Sequence, residues 1–277
     1  MDASDWQARF GGIERVYGAH AADRIRSLSL CVVGLGGVGS WAAEALVRTG
    51  VARIRLVDLD DVCVSNTNRQ SHALGGTVGQ FKAEVLAARL RDIHPGCDVE
   101  ALIDFATQDN LDTVLAAPLD GVLDCIDSVV AKSDLLAWCR RAKLPVVSTG
   151  GAGGRLDPTR IEIADLNTVR GDALSARVRS RLRHRYGYSR NPKRRYGIPT
   201  VFSGEPVRHQ HADGEARQGR PASGQLASGL PVDGAGGRLD CAGALGATSM
   251  VTASFGFAAA AELLRRLTAQ TRPASAR

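Results

Sequence analysis

None of the six cysteines, Cys31, Cys63, Cys97, Cys125, Cys139 and Cys241, stands in a C-x-x-C pair. That absence argues against a zinc knuckle and leaves the thiols to be read as the reduced sulfurs of a cytosolic enzyme. The first residues lack the basic start and continuous apolar run of a secretory signal, so export is not expected. Runs rich in leucine and isoleucine are missing as well. Ala242–Ala261 is apolar, but glycine, alanine, serine and threonine fill it. A core or dimer-interface helix is therefore expected there, not a stable membrane span, with peripheral membrane association the lesser reading. No internal repeat occurs. Residues 205–237 contain no aromatic side chain at all. Such a stretch cannot bury enough surface to offset its ordering entropy, and it reads as a mobile insertion.

What is present is enough apolar residue, 44% of 277, for a sizeable core of one α/β domain or a domain and a half. The formal charge of +6 points to an anionic partner, and the middle of the chain carries most of the arginine. Along the chain, Leu28–Val33 reads as a buried strand, Gly37–Thr49 as a helix ended by Gly50, and Ile54–Asp58 as a second strand. Val78–Ile93 has helical spacing and stops at Pro95. Val99–Ile103, Leu111–Leu115, Gly121–Ile126, Leu135–Arg141 and Val146–Ser148 continue as strand, helix, strand, helix, strand. This alternation predicts a Rossmann-like, mostly parallel sheet with helices on both faces. Residues 1–27 form an arm, partly helical, with a break at Arg9-Phe-Gly-Gly12. The expected division is that arm, a nucleotide-binding domain over 28–165, and a smaller C-terminal lobe over 166–277. The lobe follows a flexible glycine crossing at Gly150–Gly154. After a short strand at Arg160–Ala164, it carries a basic helix over Asp172–Tyr186, a strand at Thr200–Ser203, the insertion, and a terminal helix.

Gly34, Gly36 and Gly39 have the G-x-G-x-x-G spacing between the first strand and its helix. The first suits a tight turn, the second close backbone approach to phosphates, and the third helix packing on the sheet. Asp58 ends the next strand, where a carboxylate can accept from ribose hydroxyls. By itself this would suggest an NAD or flavin site. Asn66, Arg69 and Lys82 beside the turn have no task in an oxidoreductase. A triphosphate uses such cations to neutralise its β- and γ-phosphates, and Asp127 could hold Mg²⁺.

The set Gly34-x-Gly36-Gly37-x-Gly39-Ser40, Asp58-x-Asp60, Ser65-Asn66-x-x-Arg69-Gln70, Lys82-Ala-Glu and Asp124-x-x-Asp127 resembles the adenylation domain of the ubiquitin-activating-enzyme-like superfamily. That superfamily includes the bacterial sulfur-carrier adenylyltransferases, and the resemblance covers roughly residues 9–165. Longer runs, Val32–Leu46, Asp61–Gln70, Thr149–Gly154 and Arg238–Ala242, resemble most closely its tRNA threonylcarbamoyladenosine dehydratase branch. The resemblance implies an ATP-dependent enzyme that cyclises N6-threonylcarbamoyladenosine (t6A) at position 37 of tRNA through carboxylate adenylation. It implies that Gly34, Gly36, Gly37 and Gly39 approach ATP, that Asp58 faces the ribose and that Asp60 also binds the nucleotide. Asn66, Arg69 and Lys82 face the phosphates, and Asp127 binds the metal; Arg69, Lys82 and Asp127 are the catalytic set. Homodimers and sulfur-transfer protein partners also belong to that resemblance. The sulfur-carrier enzymes place an arginine three residues after the position of Arg9, where this chain has Gly12; Arg9 or Arg15 would have to take its part.

The tRNA candidate is the basic helix and the loop after it. Arg177, Arg181 and Arg185 share one helix face, and Arg190, Lys193, Arg194 and Arg195 follow. Tyr186, Tyr188 and Tyr196 are interleaved, which suits phosphate contact with base stacking. Cys241 is read as a small buried residue, because a reactive thiol needs a local cause for a low pKa. Three rivals remain. One is adenylation of the C-terminus of a small sulfur-carrier protein, another is an NAD-dependent oxidoreductase, and the third is a non-catalytic nucleotide-binding scaffold for a sulfur-transfer partner, which would release no pyrophosphate.

Overall fold

The computed structural model describes residues 3–116, 118–211, 214–218 and 245–269. Two helices, α1 (Ala3–Tyr17) and α2 (Ala19–Ile25), lead into β1 (Ser29–Val33), α3 (Gly39–Arg48) and β2 (Arg53–Val57). Then come α4 (Lys82–Ile93), β3 (Asp98–Leu102), α5 (Leu111–Val114), β4 (Gly121–Asp124), α6 (Val129–Arg141) and β5 (Val146–Thr149). β6 (Ile161–Asp165), α7 (Ala173–Tyr186), β7 (Pro199–Ser203), a hairpin of β8 (Arg208–Gln210) and β9 (Ala216–Gln218), and α8 (Ser249–Ala269) complete the order. Cys241, the run Arg238–Ala242 and residues 219–237 of the expected insertion lie outside the described residues.

Seven strands form one sheet in the order β3-β2-β1-β4-β5-β7-β6. All neighbours are parallel except β6 and β7, which run antiparallel. The expected α/β architecture is therefore present. β1 and β4 are buried along their whole length, as strands covered on both faces must be. One core, centred on Leu30, Val32, Leu46, Leu86 and Phe255, lies against α3, α4 and α8. The other, centred on Val33, Val122, Leu135 and Leu182, lies under α5, α6 and α7. The boundary expected at 165/166 falls between two strands that pair with each other.

Several local expectations need correction. Helix α1 runs through Gly11 and Gly12 without the expected break. Each helical glycine costs about 1 kcal/mol against alanine. Burial of Trp6 and Phe10 with Ala22 offsets this, and the Trp6 indole donates to the Gly50 carbonyl at 3.3 Å. Helix α4 starts at Lys82, four residues later than the spacing suggested. The Gly150–Gly154 crossing is tied down. Gly151 N donates to Asp172 Oδ2 at 2.9 Å, and Gly154 N to the Gly246 carbonyl at 2.7 Å. Asp172 also caps α7 through Ser175 N at 2.7 Å and meets the buried Arg155 at 3.3 Å. Cys31, Cys97, Cys125 and Cys139 are free thiols. Cys63 is disulfide-bonded, contrary to the expectation of reduced thiols throughout.

The small-residue stretch before Ala261 has a packing reason. α8 lies on α3 so closely that a Cβ at Gly256 would sit 2.6 Å from the Val38 carbonyl oxygen and 2.9 Å from Ala42 N. Among the described residues no helix is long and apolar enough to cross a membrane; the expected core helix is what forms. Gly256→Val should destabilise the fold by about 1–3 kcal/mol, the usual cost of overpacking a fitted interface. A denaturant titration gives that value directly; an unchanged midpoint would mean the helices separate freely.

Candidate active site

The carboxyl ends of β1, β2, β4 and β5 converge where the strand order reverses between β1 and its neighbours β2 and β4. In such sheets this crevice is where ligands bind. Gly34 turns the chain with φ of +86°, and a Cβ there would lie 2.8 Å from the Cys125 carbonyl oxygen. A Cβ on Gly39 would lie 1.8 Å from the Gly34 carbonyl oxygen. Both positions must be glycine for the turn to close. Gly36 differs, since nothing lies within 4 Å of where its Cβ would be. Its missing side chain leaves open space, which suits close approach by a ligand. At Gly37 the crowding comes from Arg69 Cγ at 3.1 Å and Thr252 Cγ2 at 3.2 Å.

Asp58 braces this turn. Its carboxylate accepts from Leu35 N at 2.6 Å and from Asp60 N at 2.9 Å. Burial pushes its pKa above the ordinary range, opposed by the nearby Lys82 ammonium and these two bonds. Lys82 begins α4 and is buried, with Nζ 2.8 Å from Asp60 Oδ2. Asp60 is 58% exposed, so this ion pair stands at the rim of the crevice. The buried Asn66 accepts from Cys63 N at 3.1 Å, which shapes the loop leading to Arg69. Arg69 donates to the Ser65 carbonyl at 2.8 Å and to Asn68 Oδ1 at 2.9 Å. Burial lowers its pKa from the usual arginine value. Its carbonyl accepts from the Trp41 indole at 2.9 Å, anchoring the loop to α3.

Asp127 is exposed just past β4. The turn that carries it rests on a buried pair that sequence reasoning missed. Lys132 Nζ lies 2.9 Å from Asp124 Oδ2 and donates to the Ile126 carbonyl at 2.9 Å. Ser148 Oγ donates to Asp124 Oδ2 at 2.7 Å, and Ile126 N to Asp124 Oδ1 at 3.2 Å. Lys132 is 1% exposed and Asp124 0%. Burial raises the Asp124 pKa, against the pull of Lys132 and Ser148. The signal available beforehand was a lone lysine in an otherwise apolar turn of α6, which demands a buried anion opposite.

His72 was also missed. It is buried behind the Asn66–Gln70 loop with neither ring nitrogen hydrogen-bonded. Burial, then the fields of Lys82 and Arg89, lower its pKa to about 4 from 6.5. The unfolded chain therefore takes up a proton between about pH 6.5 and 4 that the folded chain refuses. Stability conferred by this residue is complete above pH 6.5 and is lost as the pH falls toward 4, by at most about 1.4 kcal/mol per unit. Denaturation midpoints between pH 6.5 and 5 should fall for the native chain and fall less for His72→Leu; equal slopes would refute the point.

The basic helix does not point uniformly outward. Arg177 and Arg185 are exposed, and Arg185 donates to Gln108 at 2.8 Å. Arg181 is partly spent on Asp134 at 3.1 Å. Lys193 and Arg194 are exposed on the following loop. Tyr196 is buried, its hydroxyl donating to the Ser189 carbonyl at 2.7 Å and accepting from Arg183 at 2.9 Å. It is a core ring and takes no part in base stacking. α7 starts beside Gly151 at the nucleotide end and runs toward the opposite end of the sheet. The glycine turn, Asp58, Asp60, Asn66, Arg69, Lys82 and Asp127 thus gather at one end, and the basic loop lies at the other.

Several known proteins match nearly the whole chain. The tRNA threonylcarbamoyladenosine dehydratase of Escherichia coli is 46% identical over 265 residues, covering 96% of this chain and 95% of that one. The protein of the same name from Haemophilus influenzae is 41% identical over 263 residues, covering 95% and 94%. The solved structure of E. coli tRNA N6-threonylcarbamoyladenosine dehydratase in complex with ATP has a TM-score of 0.82 at 42% identity, covering 98% of each chain. The ThiF family model matches residues 12–277, and the chain belongs to the ThiF family.

Proposed function

We propose that this enzyme uses ATP to dehydrate N6-threonylcarbamoyladenosine at position 37 of tRNA, closing its side group into a ring. The observation that carries the reading is the likeness, over 98% of both chains, to a dehydratase solved with ATP. Two of the rivals fare worse. An oxidoreductase leaves Arg69 and Lys82 idle, and the sulfur-carrier enzymes usually carry paired zinc cysteines that this chain lacks.

ATP lies with its phosphates over Gly36 and its ribose toward Asp58. The threonyl carboxylate of t6A attacks the α-phosphate; a P–O bond forms and pyrophosphate leaves with the electrons of the broken α–β bridge. The carbamoyl group then attacks the acyl carbon. The C–O bond to AMP breaks, and the carbamoyl loses a proton, so the sum is loss of one water coupled to ATP cleavage. Lys82, on releasing Asp60, and Arg69 neutralise charge on the phosphates as it develops, in a crevice where fixed cations need no reorganisation. Positioning of the carboxylate and carbamoyl by tRNA contacts supplies proximity. Asp127 fits a metal that arrives with phosphates, because its carboxylate is exposed and no group of three metal-ligating side chains forms a cage among the described residues. Mg²⁺ held there would neutralise phosphate charge. The tRNA approaches along α7, with Arg177, Arg185, Lys193 and Arg194 against its backbone and Arg181 shared with Asp134.

A homodimer belongs to this reading, in which an arginine of α1, Arg9 or Arg15, would serve a partner copy. A sulfur-transfer protein is a further candidate partner, and the cytoplasm is the expected compartment. Pyrophosphate release tests the reading. It should require tRNA bearing t6A, and equal release with tRNA lacking that nucleoside would count against it.

A further inference from the structure

We propose that the cleft at the far ends of α6 and α7 is a second RNA subsite, which grips phosphodiester backbone away from the reacting nucleoside. This rests on the reading of tRNA as substrate. The cleft is open to solvent, has a volume of about 610 Å³ and is lined by Arg140, Arg141, Tyr186, Tyr188, Arg194 and Arg195. That volume lies in the range of ligand sites, roughly 300–1,000 Å³, and admits a nucleotide.

Among the described residues, Arg140, Arg141 and Arg194 stand in no ion pair, and of the four arginines Arg195 alone has a carboxylate beside it. Arg195 Nε stands 4.0 Å from Asp165. That carboxylate already accepts from Tyr196 N at 2.9 Å, Gly197 N at 2.8 Å and Asn167 N at 3.1 Å. Asp134, the acid of α6 nearest to Tyr186, is engaged by Arg181 and by the Tyr186 hydroxyl at 2.7 Å. Glu262, in the neighbouring cleft, is held by Arg265 and Arg266. The backbone of the loop is also held in place. Asn167 Nδ2 donates to the carbonyls of Asn191 at 2.9 Å and Arg194 at 2.8 Å, fixing the loop that brings Arg194 and Arg195 opposite α6. The Arg140 guanidinium carbon lies 3.1 Å from where a Cβ on Gly197 would be, so it packs on the turn after Tyr196. Like charges lining one cleft repel one another, and an anion among them relieves that repulsion. Tyr188, edge-on to Tyr196 with centroids 4.9 Å apart, places a half-buried ring in the same cleft, where an unpaired base can stack.

Position selects RNA as the occupant. The 14 residues of α7 span about 21 Å, with Arg177 and Arg185 exposed between the nucleotide end and the cleft. One RNA arm lying along this helix reaches both ends, whereas a free mononucleotide would use only the cleft.

The test is the affinity of full-length tRNA across a salt series for Arg141→Ala/Arg195→Ala. A control, Arg48→Ala/Arg53→Ala, removes the same charge from elsewhere. The cleft variant should bind roughly tenfold more weakly at low salt, with a log–log salt slope shallower by about 2, since each phosphate contact contributes about 0.9. The control should stay close to the native chain. Arg141→Gln alone should give about half the change in slope, and thermal midpoints check folding. Unchanged affinity and slope, or equal weakening in both double variants, would overturn the proposal. A native chain that dehydrates t6A while the cleft variant binds normally sinks the cleft alone. A native chain that forms no dehydrated nucleoside sinks the reading beneath it as well.

Discussion

Replacing Asp127 or Lys82 by alanine is expected to lower formation of the dehydrated nucleoside by at least about 10²-fold, the scale on which single electrostatic groups act on transition states. The fold should survive both changes. Asp127 is exposed beyond the end of β4, so its removal leaves nothing buried without a partner. Lys82 is buried, but its partner Asp60 is 58% exposed and passes to water when the ammonium is lost. Lys82→Ala also relieves the field that opposes the raised Asp58 pKa. Its activity should therefore fall further toward acid pH than that of the native enzyme. The measurement is single-turnover formation of product with matched thermal midpoints. Full activity in either variant would remove that residue from the phosphate site.

The second large effect is one of stability. Lys132→Met removes one half of a fully buried ion pair and leaves Asp124 among apolar groups, held only by Ser148 and Ile126 N. Breaking such a pair costs about 3–5 kcal/mol, whereas replacing both members by apolar groups of similar volume is close to neutral. Denaturant unfolding of Lys132→Met, Asp124→Leu and the double variant should give a coupling in that range, with the double variant more stable than either single one. Because Lys132 also holds the Ile126 carbonyl, the turn bearing Asp127 should loosen. Activity should then fall even where the chain remains folded. A cost below about 1 kcal/mol for Lys132→Met would show that the pair is not what fixes the turn.

Most of the sheet was legible because fully buried parallel strands read as apolar runs: β1, β2, β4 and β5 each lie within a residue or two of their expected limits. The glycine turn was legible for a different reason. Gly34 needs a positive φ and Gly39 leaves no room for a Cβ, and both demands show in the spacing. What escaped were properties set by partners far away in sequence. The glycine crossing after β5 looked loose until Asp172, from the start of α7, closed on Gly151. Gly11 and Gly12 looked like a helix break until Trp6 and Phe10 found Gly50 and Ala22. Lys132 and Asp124 were each visible, but not their meeting under the Asp127 turn. The tyrosines of the basic segment looked alike, and only tertiary packing separated the buried Tyr196 from the half-buried Tyr188 in the cleft.

Incubation of the purified enzyme with ATP, Mg²⁺ and tRNA bearing t6A, followed by mass analysis of the nucleosides, should yield a nucleoside lighter by one water, formed only with ATP and accompanied by AMP and pyrophosphate. Unchanged t6A in the presence of folded, ATP-binding protein would contradict the proposed dehydration.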